Sequence, residues 1–132
     1  TKPLTKPFKI KRYPFFIRMA KAGEVIPVFG NGDSRRDYTY VDDAVDAVLA
    51  ALANPQPFAV FNVGGGSPIR LDALVDAVAE ATGQPIRTER LDDQPGDVGL
   101  TWADPTAIRE ALGWSAQIGI VEGLRRTVAA TQ

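Results

Sequence analysis

At 132 residues, with 45% hydrophobic and 23% charged side chains, the chain has the size and composition of one globular domain with a modest core. It contains neither cysteine nor histidine, which excludes disulfides, thiolate or imidazole catalysis, and zinc ligation by those groups. The net charge is −1, yet residues 1–21 carry seven positive charges and no acid, leaving 8 basic against 16 acidic residues elsewhere. A chain this acidic over most of its length is not expected to bind nucleic acid.

The opening repeat, Thr1-Lys2-Pro3-Leu4 then Thr5-Lys6-Pro7-Phe8, opposes helix through its prolines, so residues 1–13 are expected to form a basic extended arm. From Pro14, the spacing of Phe15, Phe16, Met19 and Ala20 predicts a helix that stops at Gly23. Val25 to Phe29 then reads as a strand ended by the turn Gly30-Asn31-Gly32-Asp33. Arg36 to Val41 is expected as a second strand. Asp42 and Asp43 suit a helix start before Ala44 to Leu52, which Asn54-Pro55 closes.

The apolar run Phe58 to Val63 predicts a buried parallel strand, entering the tight loop Gly64-Gly65-Gly66-Ser67. Leu71, Leu74, Val75 and Val78 form one face of an amphipathic helix ended by Gly83. Ile86 to Leu91 alternates as a strand, and Asp92 to Gly99 is a polar Pro/Gly loop. Asp104-Pro105 opens a helix that runs to about Leu112, and a last helix spans about Val121 to Ala130. Strands alternating with helices indicate the α/β class. No apolar run approaches the ~20 residues of a membrane span, no secretory signal is expected, and a cytoplasmic location is.

Few residues carry chemistry by spacing alone. Gly64-Gly65-Gly66 follows a predicted strand but matches neither the dinucleotide nor the P-loop spacing, so it reads as a tight connection and no cofactor is assigned to it. Arg35 and Arg36 beside a glycine turn form either an anion site or surface ion pairs with Asp33 or Asp37. Because strand neighbours face opposite ways, only one arginine should reach a given site. Gln94-Pro95-Gly96-Asp97 is either a solvated turn or a fixed amide and carboxylate for a ribose or base. Val28 and Phe29 are either core or a flat wall against an aromatic base.

Ordered together, these segments say more. Val28-Phe29-Gly30-Asn31-Gly32 is followed by Arg36-Asp37-Tyr38-Thr39-Tyr40-Val41-Asp42-Asp43. Then come Phe61-Asn62-Val63-Gly64-Gly65, Gln94-Pro95-Gly96-Asp97-Val98, Thr101-Trp102-Ala103-Asp104 and Leu112-Gly113-Trp114. From about Phe16 to Val128 the series resembles the extended short-chain dehydrogenase/reductase family, in particular its NAD-dependent nucleotide-sugar epimerases and dehydratases. Gln before Pro-Gly-Asp is most similar to the UDP-glucuronate 4-epimerase branch.

The resemblance implies an α/β carboxy-terminal portion, residues 14–132, that binds a UDP-sugar. Val28 and Phe29 would pack on the uracil, Arg36 would hold the diphosphate, Asp97 would accept from the ribose hydroxyls, and Gln94 would lie beside the nucleotide. Asp37 and Tyr38 would support their strand. The family's NAD sits on a Rossmann half with a glycine-rich turn and a Tyr-x-x-x-Lys pair. Neither is found here: Tyr13, Tyr38 and Tyr40 are followed four residues on by Ile17, Asp42 and Ala44. No catalytic, cofactor-binding or metal-binding residue is therefore expected, and the isolated chain is expected to be inactive. The units Arg36–Ala53 and Phe58–Ala81 would complete a Rossmann sheet, so self-association, or docking to a separate Rossmann domain, is expected. A non-catalytic scaffold, or part of a dehydratase or decarboxylase, are the alternatives.

Overall fold

A computed structural model describes residues 12–93 and 95–131. Most of the segment read as a basic arm lies outside the described residues, and the first helix, α1 (Arg12–Ala22), opens just before Pro14. Strand β1 (Ile26–Phe29) follows, as the apolar run predicts. Strand β2 is only Arg35–Arg36, shorter than expected, because residues 37–40 belong to no strand and lead directly into helix α2 (Val41–Ala53). Asp42 and Asp43 sit in the first turn of α2, where the helix dipole favours acids. Asn54 ends the helix by donating both its backbone N–H and its side-chain Nδ2 to the Ala50 carbonyl, and Pro55 bars continuation.

Strand β3 (Ile69–Arg70) leads into α3 (Leu71–Thr82), which stops at the left-handed Gly83. Strand β4 (Thr88–Leu91), α4 (Thr106–Leu112) and α5 (Ile120–Ala130) complete the order. Strands β1 and β4 pair in parallel from Ile26↔Thr88 to Phe29↔Leu91. Strands β2 and β3 pair antiparallel through Arg35↔Arg70 and Arg36↔Ile69, and Arg35 also bridges to Leu100.

Two hydrophobic clusters result. The larger joins α1 (Phe16, Ile17), β1 (Ile26, Val28), α3 (Leu74, Val78) and α5 (Leu124, Val128). The smaller joins Ala47 of α2, Ile108 of α4 and Trp114. Asp43 ties the second one shut. Its buried carboxylate accepts from the backbone N–H groups of Gln117 (3.0 Å) and Ile118 (2.9 Å), while its carbonyl accepts from Trp114 Nε1 (3.1 Å). A buried carboxylate is tolerated when it is hydrogen-bonded in this way.

The run Phe58 to Val63 corrects the sequence reading. It is not a strand, and Phe58 is 88% exposed. A strand needs neighbours for its N–H and C=O groups, and among the described residues no strand pairs with this run. Phe61 packs against the smaller cluster, whereas Phe58, Val60 and Val63 are exposed, as is the outer stripe of α2: Val41, Val45, Val48 and Leu52, at spacings of three and four.

Candidate functional site

The site grows from the turn after β1. Gly30 and Gly32 both take positive φ (68° and 82°), which L side chains rarely adopt. A Cβ on Gly32 would also lie 2.7 Å from Arg90 Nη1, so it would displace the guanidinium that closes over the turn. Arg90 closes over this turn by donating to the Gly30 carbonyl at 3.2 Å. The first N–H groups of α3 then hold the turn's far side. Leu71 donates to the Ser34 carbonyl (2.9 Å) and Asp72 to the Gly32 carbonyl (3.1 Å). Helix-end donors that would otherwise lack partners thus fix the segment carrying Arg35 and Arg36.

From that anchored segment Arg36 reaches Asp97. Its Nη2 donates to Asp97 Oδ1 at 2.8 Å, and its Nη1 donates to the Arg35 carbonyl at 2.7 Å. The Arg36 and Asp97 side chains are 18% and 33% exposed, whereas Arg35 is exposed. Only one of the two arginines faces the Asp97 loop, as strand alternation requires. Of the two alternatives read from the spacing, the ion pair with Asp33 or Asp37 is not formed by Arg36, whose carboxylate partner is Asp97. Asp33 is instead engaged by Asn31 Nδ2 (3.0 Å), and Asp37 has its own partners.

Val28 is 2% exposed and lies in the larger cluster, while Phe29 is half-buried at the end of β1. Phe29, rather than Val28, therefore has side-chain surface to offer a flat ring. Gln94 lies outside the described residues. A guanidinium has five N–H donors, and among the described residues two of those on Arg36 are engaged, so the group can also bind an anion. Arg70 and Asp72 form a second pair nearby at 2.8 Å. The Arg70 guanidinium holds the Asp72 carboxyl at about 2, well below the usual carboxylate range. Both members are at least 40% exposed, so solvent screening leaves the pair a minor contributor to stability.

Sequence reasoning gave Asp37 only the support of its own strand. Its Oδ2 accepts from the N–H of Gly66 (2.9 Å) and of Ala103 (3.1 Å). The glycine triplet was the available signal. A Cβ on Gly64 would clash with the Ala103 side chain, and one on Gly65 would lie 3.0 Å from both Asp37 Oδ1 and the Tyr38 carbonyl. The loop is filled by the protein's own groups. It does not offer the open cradle that a pyrophosphate needs, and no residue here is assigned to NAD.

A cavity of about 280 Å³ opens between the Tyr38–Val41 segment and α5. Its lining, which includes Tyr40, Ile118, Gly123 and Leu124, contains no charged side chain, so it does not suit a diphosphate. Among the described residues no cluster of acids is placed to hold a metal ion, and no helix is long and apolar enough to cross a membrane.

The fold is that of the carboxy-terminal portion of an extended short-chain dehydrogenase/reductase. The profile of the GDP-mannose 4,6 dehydratase family matches residues 3–127, and the chain belongs to that family of NAD-dependent nucleotide-sugar epimerases and dehydratases. It is 35% identical over 114 residues to a UDP-glucuronate 4-epimerase of Thermodesulfobacterium geofontis, covering 86% of this chain and 35% of that protein. The crystal structure of the Thermotoga maritima UDP-glucose 4-epimerase with UDP-glucose superposes with a TM-score of 0.84 at 34% identity, covering 90% of this chain and 38% of that one. MoeE5, solved with UDP-glucuronic acid and NAD, superposes with a TM-score of 0.83 at 32% identity, covering 90% and 40%. The chain thus spans about a third of the length of the curated relatives it matches.

Proposed function

We propose that this chain forms the UDP-sugar half of the substrate cleft of an NAD-dependent nucleotide-sugar epimerase, of the kind acting on UDP-glucuronate. The observation that carries this reading is the Arg36–Asp97 pair, held at 2.8 Å beyond the end of β1. Arg36 would turn its planar fork to the diphosphate. Asp97 would accept from ribose hydroxyls, Phe29 at the end of β1 would pack against the base with Val28 backing it, and Gln94 would lie beside the nucleotide. A dehydratase or decarboxylase acting on the same class of substrate would use the same half-site. The support is chemical: one cation for phosphate oxygens, one carboxylate for hydroxyls and one apolar ring for a base, on adjacent segments. Hydride transfer needs NAD and a proton acceptor at the sugar, and the residues present supply neither. The isolated chain therefore binds without turning substrate over, in the cytoplasm.

Calorimetric titration with UDP tests this. Saturable binding is expected, weakened about tenfold to a hundredfold in Arg36→Ala, since a hydrogen bond to a charged group contributes about 1.5–3 kcal/mol. Adding NAD and UDP-glucuronate should yield no epimer. Absence of UDP binding by folded wild-type chain, or turnover by that chain alone, would sink the reading.

A second reading has its own observation. The outer stripe of α2, continued by Phe58 and Val60, is a contiguous-sequence set of exposed apolar side chains. Surfaces of this kind mark interfaces. A separate Rossmann domain is the natural occupant, since the matched relatives carry nearly two thirds of their length beyond the match. In its absence, the face drives self-association, which would also serve a scaffold role without catalysis.

A further inference from the structure

Asp37 is neither a surface acid nor a candidate ligand contact, yet two segments converge on it. Its N–H donates to the Thr101 carbonyl (3.1 Å), and its Oδ2 accepts from Gly66 and Ala103. Gly66 is gripped a second time, because Trp102 Nε1 donates to its carbonyl at 3.1 Å. Thr101 in turn donates to the Arg35 carbonyl at 3.1 Å, and Arg35 donates to Gly99 at 2.8 Å. The residues so tied are the immediate neighbours of Arg36 on one side and the continuation of the Asp97 loop on the other. The second carboxylate oxygen, Oδ1, is buried with no hydrogen-bond partner among the described residues. An acceptor left unsatisfied beside a fully used one is a cost the fold would shed if Asp37 served only to fill space.

We infer that Asp37 is the positioning residue of this half-site. Its carboxylate clasps the glycine loop to the 101–103 segment, and that clasp sets the register in which Arg36 meets Asp97. For its ligand this role rests on the nucleotide-sugar reading above, while its mechanism rests on geometry alone. Gly64 and Gly65 are part of the same device. Their missing side chains leave room for the carboxylate: a Cβ on Gly65 would lie 3.0 Å from Asp37 Oδ1, and one on Gly64 would clash with Ala103 and crowd Asp37 Oδ2 at 3.2 Å.

The test uses the 15N-labelled 132-residue chain, read by the Arg36 Nε–H resonance and by calorimetry with UDP. Asp97→Ala defines the Arg36 signal of the unpaired state. Asp37→Ala is expected to move Arg36 toward that signal. It should also lower UDP affinity by about tenfold, the size of one lost charge-assisted hydrogen bond. Asp37→Asn keeps one acceptor oxygen for the two N–H groups and should restore both readouts. Gly65→Ala, which displaces the carboxylate without removing it, should shift Arg36 in the same direction, and it decides the matter if Asp37→Ala fails to fold. An Arg36 signal unmoved in the folded variants overturns the positioning role. So does an Asn variant as impaired as Ala, since that would assign the effect to charge instead of the clasp. If wild-type chain does not bind UDP, the nucleotide reading falls, and the Arg36 resonance alone decides the role of Asp37.

Discussion

The two hydrophobic clusters differ in how fully they are enclosed. The larger is closed on all sides that the chain can supply: α3 lies between α1 and α5, with β1 beneath, and Ile26, Leu74 and Val78 are fully buried. The smaller is closed on one side only. Helix α2 buries Ala47 against Ile108 and Trp114, with Phe61 packed beside them, while its opposite stripe and Phe58, Val60 and Val63 face solvent. The Arg36–Asp97 site hangs on the enclosed region through β1, β3 and the start of α3. A ligand site must hold its groups in place without the partner, whereas an interface is complete only with it. The molecule therefore puts its polar geometry where packing is finished and leaves its apolar surface where packing is not.

That contrast can be broken in order of expected effect. Leu74→Ala removes a fully buried side chain from the closed cluster and should cost about 2–5 kcal/mol, measured by chemical denaturation. A cost under a tenth of that range would mean the larger cluster is not the stabilising core. Asp43→Ala should cost less, about 1–3 kcal/mol, because the part-buried N–H groups of Gln117 and Ile118 lose their acceptor. The loss should appear in the environment of Trp114, whose indole donates to the Asp43 carbonyl. Undiminished stability with an unchanged Trp114 signal would show that the smaller cluster does not depend on this anchor. Smallest on stability is the double variant Val48→Asp with Leu52→Asp, expected within about 0.5 kcal/mol because both side chains face solvent. Its effect belongs to assembly. Sedimentation should show the wild-type chain self-associating and the double variant shifted to monomer, and a monomeric wild type at high concentration would refute the open-face interpretation.

Much of this organisation is legible in the residues. The apolar spacing of Leu71, Leu74, Val75 and Val78 and the stop at Gly83 place α3 where it is found, and the β1 run and its glycine turn were equally clear. Those signals are local: a helix face or a left-handed glycine is dictated by neighbours within a few residues. For Arg36 the spacing left an anion site and an ion pair with Asp33 or Asp37 as alternatives, and neither of those nearby acids is its partner. Asp97 lies 61 positions away, and only the docking of the 95–103 segment beside β2 brings it within reach. Phe58 to Val63 failed in the opposite way, because a strand-like run forms a strand only when a neighbouring strand accepts its hydrogen bonds.

By itself the sequence determined the α/β class, the family and the placing of the main helices, because periodicity, capping residues and ordered motifs are written along the chain. Tertiary structure alone decided which acid meets Arg36, that Asp37 clasps Gly66 and Ala103, and that Val28 is core while Phe29 is half open. Each of those depends on segments far apart in the chain meeting within about 3 Å, the reach of a hydrogen bond, and no local pattern encodes that meeting.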